Sequence, residues 1–513
     1  MDEFTKALAI FFVFYFILLI STTPEPIVSD EGDHMMDSFF FYNLFRDFFT
    51  NPKLILNLPD YVYRFYTFYP ALYIVYYPPL FASLTTLSFM VLGPSMLSTR
   101  LITIIFSIAS LGVFYLIGKR LYDRKTSFLA TLILSFAPFY FIFSNIAMLE
   151  VPLLFFTFLS ILFFLKGLEE NKNYFYLMGL SLGVGALIKY SIFSLGPGIF
   201  FYLIYKKAFF KNFKELFLSA LIALLIFTPY VLIVNHFNGM DYTLWVLGRK
   251  ADECYDICPP KSRLATLYYY PFFLFFEVFP LVFLLPIAYF IWHRKLENSD
   301  IFLLFLVFFY FLFFTILSNK TPKYIMVTIP LFSLLFVSAL KRLKKGTAVL
   351  FVSVFLAQFI ISIFFPPYRA TETSTILSFD SQKPASYLAN NIEPQANVFL
   401  IGSFYEDGLI FNFASLNNFQ NHVLRWRDCV FENISSEKFS DFIHKNNIQF
   451  VVTDDIAKEQ YKQSRKFLDD NFKQVYSGGN MLIYENQDLQ IMPLNEICDF
   501  VCKINKTVCR KID

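Results

Sequence analysis

Charged residues are scarce in this chain. Asp, Glu, Lys and Arg make up 16% of 513 residues, against roughly 25% in soluble domains. Hydrophobic residues make up 56%, and Phe alone occurs 71 times. That imbalance excludes an ordinary soluble fold and predicts a polytopic α-helical membrane protein. No basic block or nucleic-acid motif occurs, and the formal net charge is only +3, so nucleic acid is not an expected partner. Nor is there an internal repeat. This counts against a secondary transporter or lipid-linked sugar flippase, since transporters of that kind place a midplane site between repeats.

What the chain has instead is long apolar runs. They cover residues 8–27, 98–118, 126–146, 148–165, 174–188, 191–205, 215–235, 267–291, 301–318, 324–340 and 346–365, which makes about 11 transmembrane helices. The first begins with the weakly basic MDEFTK and is followed by no small-residue cleavage site, so it reads as a signal anchor. The stretch LFASLTTLSFMVL, residues 80–92, lies between Pro78-Pro79 and Gly93-Pro94. Its length suits a re-entrant or interfacial helix better than a span.

Charge orients the runs. The loops 119–125, 166–173, 206–214, 292–300 and 341–345, with Lys6, carry 17 Lys and Arg, whereas the turns 144–150, 189–190 and 319–323 carry three. Positive loops stay inside. The expected topology is a multi-pass plasma-membrane protein with a cytoplasmic N-terminus. Residues 1–365 form the membrane domain, with a first external loop at 28–97, and residues 366–513 form an external soluble α/β domain with a Cys-rich tail.

Six cysteines, Cys254, Cys258, Cys429, Cys498, Cys502 and Cys509, all fall in segments assigned to the outside. An oxidising compartment makes them disulfide candidates. If Cys254 pairs with Cys258, three connectivities remain for the other four. A zinc site built on the C-x3-C spacing is the alternative, but no His pair has zinc-finger spacing. Beyond residue 366, ASYLANNI and EDGLIFNFASL read as helices. NVFLIG, NHVLRWR and IQFVVTDD read as strands, and QVYSGGNMLIYE as a hairpin. Such alternation indicates a small α/β domain. It lacks a Gly-rich phosphate loop, so a cap or recognition role fits it better than chemistry. Asn433 and Asn505 stand in N-x-S/T triplets that could accept glycans.

The polar exceptions point to function. The first loop opens with SDEGDHMMDSFFFYNLFRDFF, which puts Asp30, Glu31, Asp33 and Asp37 within eight residues. Glu150, Lys189, Lys320 and Lys323 lie at turns between spans, where an ionised side chain at bilayer depth would cost at least ~2.5–3.5 kcal/mol. A lone lysine can snorkel to the interface. The topology, however, maps acids and lysines from distant positions to one membrane face. That combination suits a carboxylate activating a nucleophile and cations holding a phosphate.

In the order and spacing of these pieces the chain resembles the polyprenyl-phosphate-sugar-dependent glycosyltransferases of the C superfold. It is most similar to the group holding protein O-mannosyltransferases and the aminoarabinose transferases of lipid A. SDEGDH matches the Asp-Glu motif of their first external loop. YPPLF (Tyr77–Phe81) matches a Pro-Pro-Leu segment that in many relatives is preceded by Lys, here Tyr77. GPSMLSTRL matches a Gly-x-Ser followed by Arg-Leu. AMLEVPLLFF carries Glu150 where Asp is usual. GLSLGVGALIKYSIF matches a Gly-rich helix ending in Lys. SNKTPKYIMVTIPLFSLL matches a helix start with a basic residue, Tyr and a later Pro. The resemblance implies a glycosyltransferase, hexosyl- or pentosyl-, that moves a sugar from a dolichyl- or other polyprenyl-phosphate to a hydroxyl of a protein, lipid or glycan, with inversion.

On this reading Asp30 is the general base and Glu31 assists it. His34, Tyr77, Pro78, Pro79 and Glu150 line the acceptor or donor pocket. Lys189, Lys320, Lys323 and Tyr324 face the lipid phosphate. No cofactor is expected, His34 being the one candidate metal ligand. Asp33 and Asp37 read as solvated loop. An oligosaccharide-to-Asn transferase of the same superfold is the alternative, but its Trp-Trp-Asp motif is absent: Trp245, Trp292 and Trp426 are isolated.

The topology makes a direct prediction. A membrane-impermeant thiol reagent should label the reduced cysteines on intact cells. Labelling that requires permeabilised cells would reverse the orientation.

Overall fold

The structure, a computed structural model, describes residues 3–22, 30–69, 71–74, 76–248, 269–271, 280–293, 296–316, 322–364, 381–394, 396–401, 406–417, 421–425, 442–444, 446–454, 468–478 and 481–487. In chain order the helices are α1 (Glu3–Ser21), α2 (Glu31–Thr50), α3 (Leu58–Phe68), α4 (Leu80–Leu92), α5 (Met96–Leu121), α6 (Arg124–Ser135), α7 (Pro138–Ser144), α8 (Glu150–Glu169), α9 (Tyr174–Ala186), α10 (Leu195–Tyr205), α11 (Phe213–Gly248), α12 (Pro280–His293), α13 (Asn298–Ile316), α14 (Thr328–Leu340), α15 (Lys345–Phe364), α16 (Gln382–Asn391) and α17 (Glu406–Asn417). The chain divides into two compact units. One comprises Met1–Thr23, Val75–Phe81 and Leu101–Thr371, the other Pro24–Ile74, Ala82–Arg100 and Glu372–Asp513.

The first unit is helical. Among the described residues five helices are long and apolar enough to cross a membrane: α1, α5, α8, α13 and the stretch Phe210–His236, which takes in most of α11. The run 126–146, expected as one span, is two helices. α6 and α7 meet at 67°. The cause is Pro138, which has no N–H to donate and drives the preceding residue out of the helical region. Ala137 is accordingly extended, at φ −64° and ψ 123°. α9 and α14, each 13 residues long, are apolar but shorter than the ~20 residues of a full span.

One sequence feature sets a helix contact directly. Gly179 and Gly183 lie four apart on α9, in the small-xxx-small pattern that lets helix backbones approach. A Cβ on Gly179 would run into the backbone of Ser219 on α11, and one on Gly183 would stand 2.9 Å from the Ile226 side chain and 3.0 Å from the Cα of Ala223.

The second unit contains a five-stranded mixed sheet of order β2-β1-β3-β5-β4. Its strands are β1 (Asn397–Ile401), β2 (Val423–Arg425), β3 (Ile448–Asp454), β4 (Lys473–Gly478) and β5 (Met481–Glu485). β1 is parallel to both β2 and β3, while β5 is antiparallel to β3 and β4. β1, α17 and β2 form a βαβ unit, and β4–β5 is the expected hairpin. After residue 366 the strands and helices read from the sequence thus recur where the chain is described. The first-loop helices belong to the same core. Met35, Met36, Phe39 and Phe40 of α2 are buried together with Phe65, Phe89, Phe411, Val398 and Ile483. The rings of Phe39 and Phe411 meet edge to face at 6.2 Å. His422, just before β2, stacks on Phe68 at 4.0 Å and bonds the Thr67 carbonyl through Nδ1 at 2.8 Å.

The α9–α11 contact is testable by thermal unfolding in detergent. Gly179→Ala should cost about 1–3 kcal/mol, since overpacking against backbone cannot relax by a rotamer change. Gly196→Ala on α10 meets no atom within 4 Å and should be neutral or stabilising. Equal behaviour of the two variants would argue against close α9–α11 packing.

Candidate functional site

The acidic motif is the start of a helix. Asp30 is the N-cap of α2, and its carbonyl accepts the His34 N–H at 3.2 Å. Glu31 and Asp33 occupy the first turn, where the partial positive charge of the helix end stabilises carboxylates. The expectation that the acids around Asp30 are mostly solvated loop is therefore corrected. Asp33 is partly exposed, but Asp37 is buried and accepts the Tyr73 N–H at 2.7 Å. His34 is buried too, and its carbonyl accepts the Ser38 hydroxyl at 2.6 Å. The Thr86 hydroxyl of α4 then donates to the Ser38 carbonyl at 3.2 Å.

Glu31 has the firmest anchor. Arg100, in the second turn of α5, donates Nε to Oε1 and Nη2 to Oε2, both at 2.6 Å, and both side chains are 0% exposed. This is the two-pronged geometry in which guanidinium and carboxylate bind most strongly. It fixes the residue next to Asp30. Sequence reasoning did not pair Arg100 with Glu31. The available signal was an arginine near the start of a 26-residue helix whose other basic residues, Lys119 and Arg120, stand only in its last turn; a buried cation so far from them needs a partner.

A second cluster lies in the helical unit. α9 ends at Ala186, and Lys189 follows in an extended conformation before the 3-10 turn Tyr190–Ser194. Lys189 Nζ donates to Oε1 of Glu150, the first residue of α8, at 2.8 Å. Its ammonium also stands 5.4 Å from the centroid of the Tyr324 ring. The Leu80 N–H donates to the Leu187 carbonyl at 3.0 Å, which ties the Tyr77-Pro78-Pro79 segment beside that turn. Tyr77 packs on a core that includes Leu149 and Ile188. Tyr77, Glu150, Lys189 and Tyr324 thus lie near one another. Lys323 is buried next to Tyr324. Lys320 and the six cysteines lie outside the described residues. Among the described residues no group of three or more His, Cys, Asp or Glu is placed to hold a metal ion.

The Glu31–Arg100 pair yields a stability prediction. Arg100→Met strands a buried carboxylate and should cost about 3–5 kcal/mol. Adding Glu31→Gln should recover much of that loss in thermal unfolding. A double variant as unstable as the single one would show that the two side chains are not coupled.

Comparison with known proteins is consistent with the sequence motifs. The profile of the dolichyl-phosphate-mannose-protein mannosyltransferase family matches residues 77–233, the stretch that holds Tyr77, Glu150 and Lys189. No curated protein matches the chain in sequence. Crystal structures of ArnT from Cupriavidus metallidurans superpose over nearly the whole chain. The apo form has a TM-score of 0.63 at 14% identity and covers 94% of this chain and 98% of that one. The form bound to undecaprenyl phosphate has a TM-score of 0.64 at 14% identity and covers 94% and 99%. The apo oligosaccharyltransferase of Archaeoglobus fulgidus aligns more loosely, with a TM-score of 0.47 at 12% identity over 82% of this chain and 67% of that one. The chain therefore shares the fold of the ArnT structures.

Proposed function

We propose that the protein is a membrane-embedded inverting glycosyltransferase that moves a sugar from a polyprenyl-phosphate carrier to an acceptor hydroxyl. The observation that carries this reading is the anchored acidic helix start: a partly exposed Asp30 beside a Glu31 locked by Arg100. The superposition on a structure bound to undecaprenyl phosphate supports a polyprenyl-phosphate donor.

In this mechanism Asp30 takes the proton of the acceptor hydroxyl as its oxygen attacks the anomeric carbon. The bond from that carbon to the phosphate oxygen breaks, and its electron pair leaves with the lipid phosphate. Configuration inverts because attack and departure occur on opposite faces. Glu31 positions Asp30 and is itself held by Arg100. Lys189, backed by Glu150 and Tyr324, binds the phosphate, and Lys320 and Lys323 add positive charge. Tyr77, Pro78 and Pro79 shape the neighbouring wall. The reaction takes place on the external face of the membrane, with the N-terminus cytoplasmic. The acceptor is a protein, lipid or glycan, and the C-terminal α/β part helps to recognise it.

The test is sugar release from a panel of labelled polyprenyl-phosphate hexoses and pentoses, measured at saturating donor. Asp30→Asn keeps the shape of the side chain and removes its basicity, so turnover should fall about 10²–10⁴-fold. Asp33→Asn should stay near normal. Unchanged turnover in Asp30→Asn would remove Asp30 from the reaction.

A further inference from the structure

The Lys189–Glu150 pair raises a question that phosphate binding alone does not answer. A lysine meant only to attract an anion gains nothing from a buried carboxylate at 2.8 Å. Glu150 is 5% exposed, so water screens it little. We infer that Glu150 sets the charge preference of the phosphate subsite, admitting the singly charged donor and repelling the more highly charged spent carrier. This rests on the reading of Lys189 as a phosphate ligand.

The charge balance of the reaction gives the argument. The donor is a phosphodiester with one negative charge. When the sugar–oxygen bond breaks, the electron pair stays on the phosphate, while the acceptor's proton goes to Asp30. The product is a phosphate monoester carrying between one and two negative charges near neutral pH, its second ionisation lying at about pH 6. An ammonium has three donor directions. Here Glu150 Oε1 takes one and the Tyr324 face covers another. A phosphate oxygen in the third would sit about 4.5–5.5 Å from the Glu150 carboxylate, given normal charge-assisted hydrogen-bond lengths. At such distances inside a protein each added negative charge is felt strongly. Glu150 therefore weakens the monoester more than the diester, which hastens discharge of the used lipid and limits product inhibition.

The experiment measures affinity of the purified full-length protein for two probes that differ by one methyl ester and the negative charge it removes: a polyprenyl monophosphate and the corresponding polyprenyl methyl phosphodiester. Glu150→Gln should tighten monoester binding by about ten- to a hundredfold and diester binding by clearly less. Lys189→Gln should weaken both. If Glu150→Gln does not fold, Lys189→Gln is compared with the Lys189→Gln/Glu150→Gln double variant, which should regain monoester affinity preferentially. Unchanged binding in Lys189→Gln would overturn the phosphate reading and the inference with it. A weakened Lys189→Gln beside a Glu150 substitution that shifts both probes equally, or neither, would overturn the inference and leave the phosphate reading standing.

Discussion

A charge removed from water has to be answered by another charge or by several hydrogen bonds, and most of the informative geometry here follows from that requirement. Glu31 and Arg100 are both wholly buried. Neither could remain ionised there alone, because the desolvation cost of an isolated ion is several kcal/mol. Two parallel bonds at 2.6 Å hold the first turn of α2 to Arg100. Lysine could not replace Arg100 in this role, since a single ammonium cannot engage both carboxylate oxygens in a planar fork. The rest of α2 is held by apolar contacts, through Met35, Met36, Phe39 and Phe40. The helix start that presents Asp30 is thus fixed by polar bonds at its tip and by aromatic packing along its length.

The same requirement governs the basic loops. Asp300 is 1% exposed. It accepts the Tyr122 hydroxyl at 2.6 Å and the Glu297 N–H at 3.1 Å, and Arg342 stands 3.8 Å away. Asp123 caps α6 by accepting the Thr126 N–H at 2.9 Å and also pairs with Lys341. Charged residues of the basic loops therefore also join the loops 119–125, 292–300 and 341–345. Their weights differ. Arg120 with Glu169 and Glu170 is a solvent-facing group, and such pairs contribute little. Asp300, buried and multiply bonded, is the member whose loss would be costly.

Much of the fold was legible because membrane helices announce themselves by composition, and because the strands near β1 and β3 are short apolar runs between polar turns. The fold shared with ArnT was legible from the order of weak motifs. Spans that break were less so: Pro138 stood in plain view inside 126–146, yet a hydropathy reading averages over it. The site was legible in residue types but not in pairings. Glu31, Glu150 and Lys189 could be nominated from their unsuitability to apolar surroundings. That Glu31 belongs to Arg100, 69 positions away, and Glu150 to Lys189, 39 away, depends on how helices pack, which no local spacing encodes. Asp37 was misjudged for the same reason: its partner is a backbone amide, at Tyr73.

The two ion pairs differ in a way that separates support from function. Glu31–Arg100 is closed: both carboxylate oxygens are engaged by the guanidinium, and no solvent reaches either partner. Exchanging a partner would mean crossing an uncompensated buried charge, so this pair can position but cannot bind a ligand that comes and goes. Lys189–Glu150 is open. Lys189 donates to Glu150 Oε1 at 2.8 Å and keeps 17% of its side-chain surface exposed. Beside it lies an aromatic face that stabilises a cation without neutralising it. An ammonium so placed can share its protons with an arriving anion while Glu150 stays in place. A locked pair beside the proposed base and an exchangeable pair for the proposed phosphate are what a transferase requires, since its nucleophile must be held still and its carrier must leave.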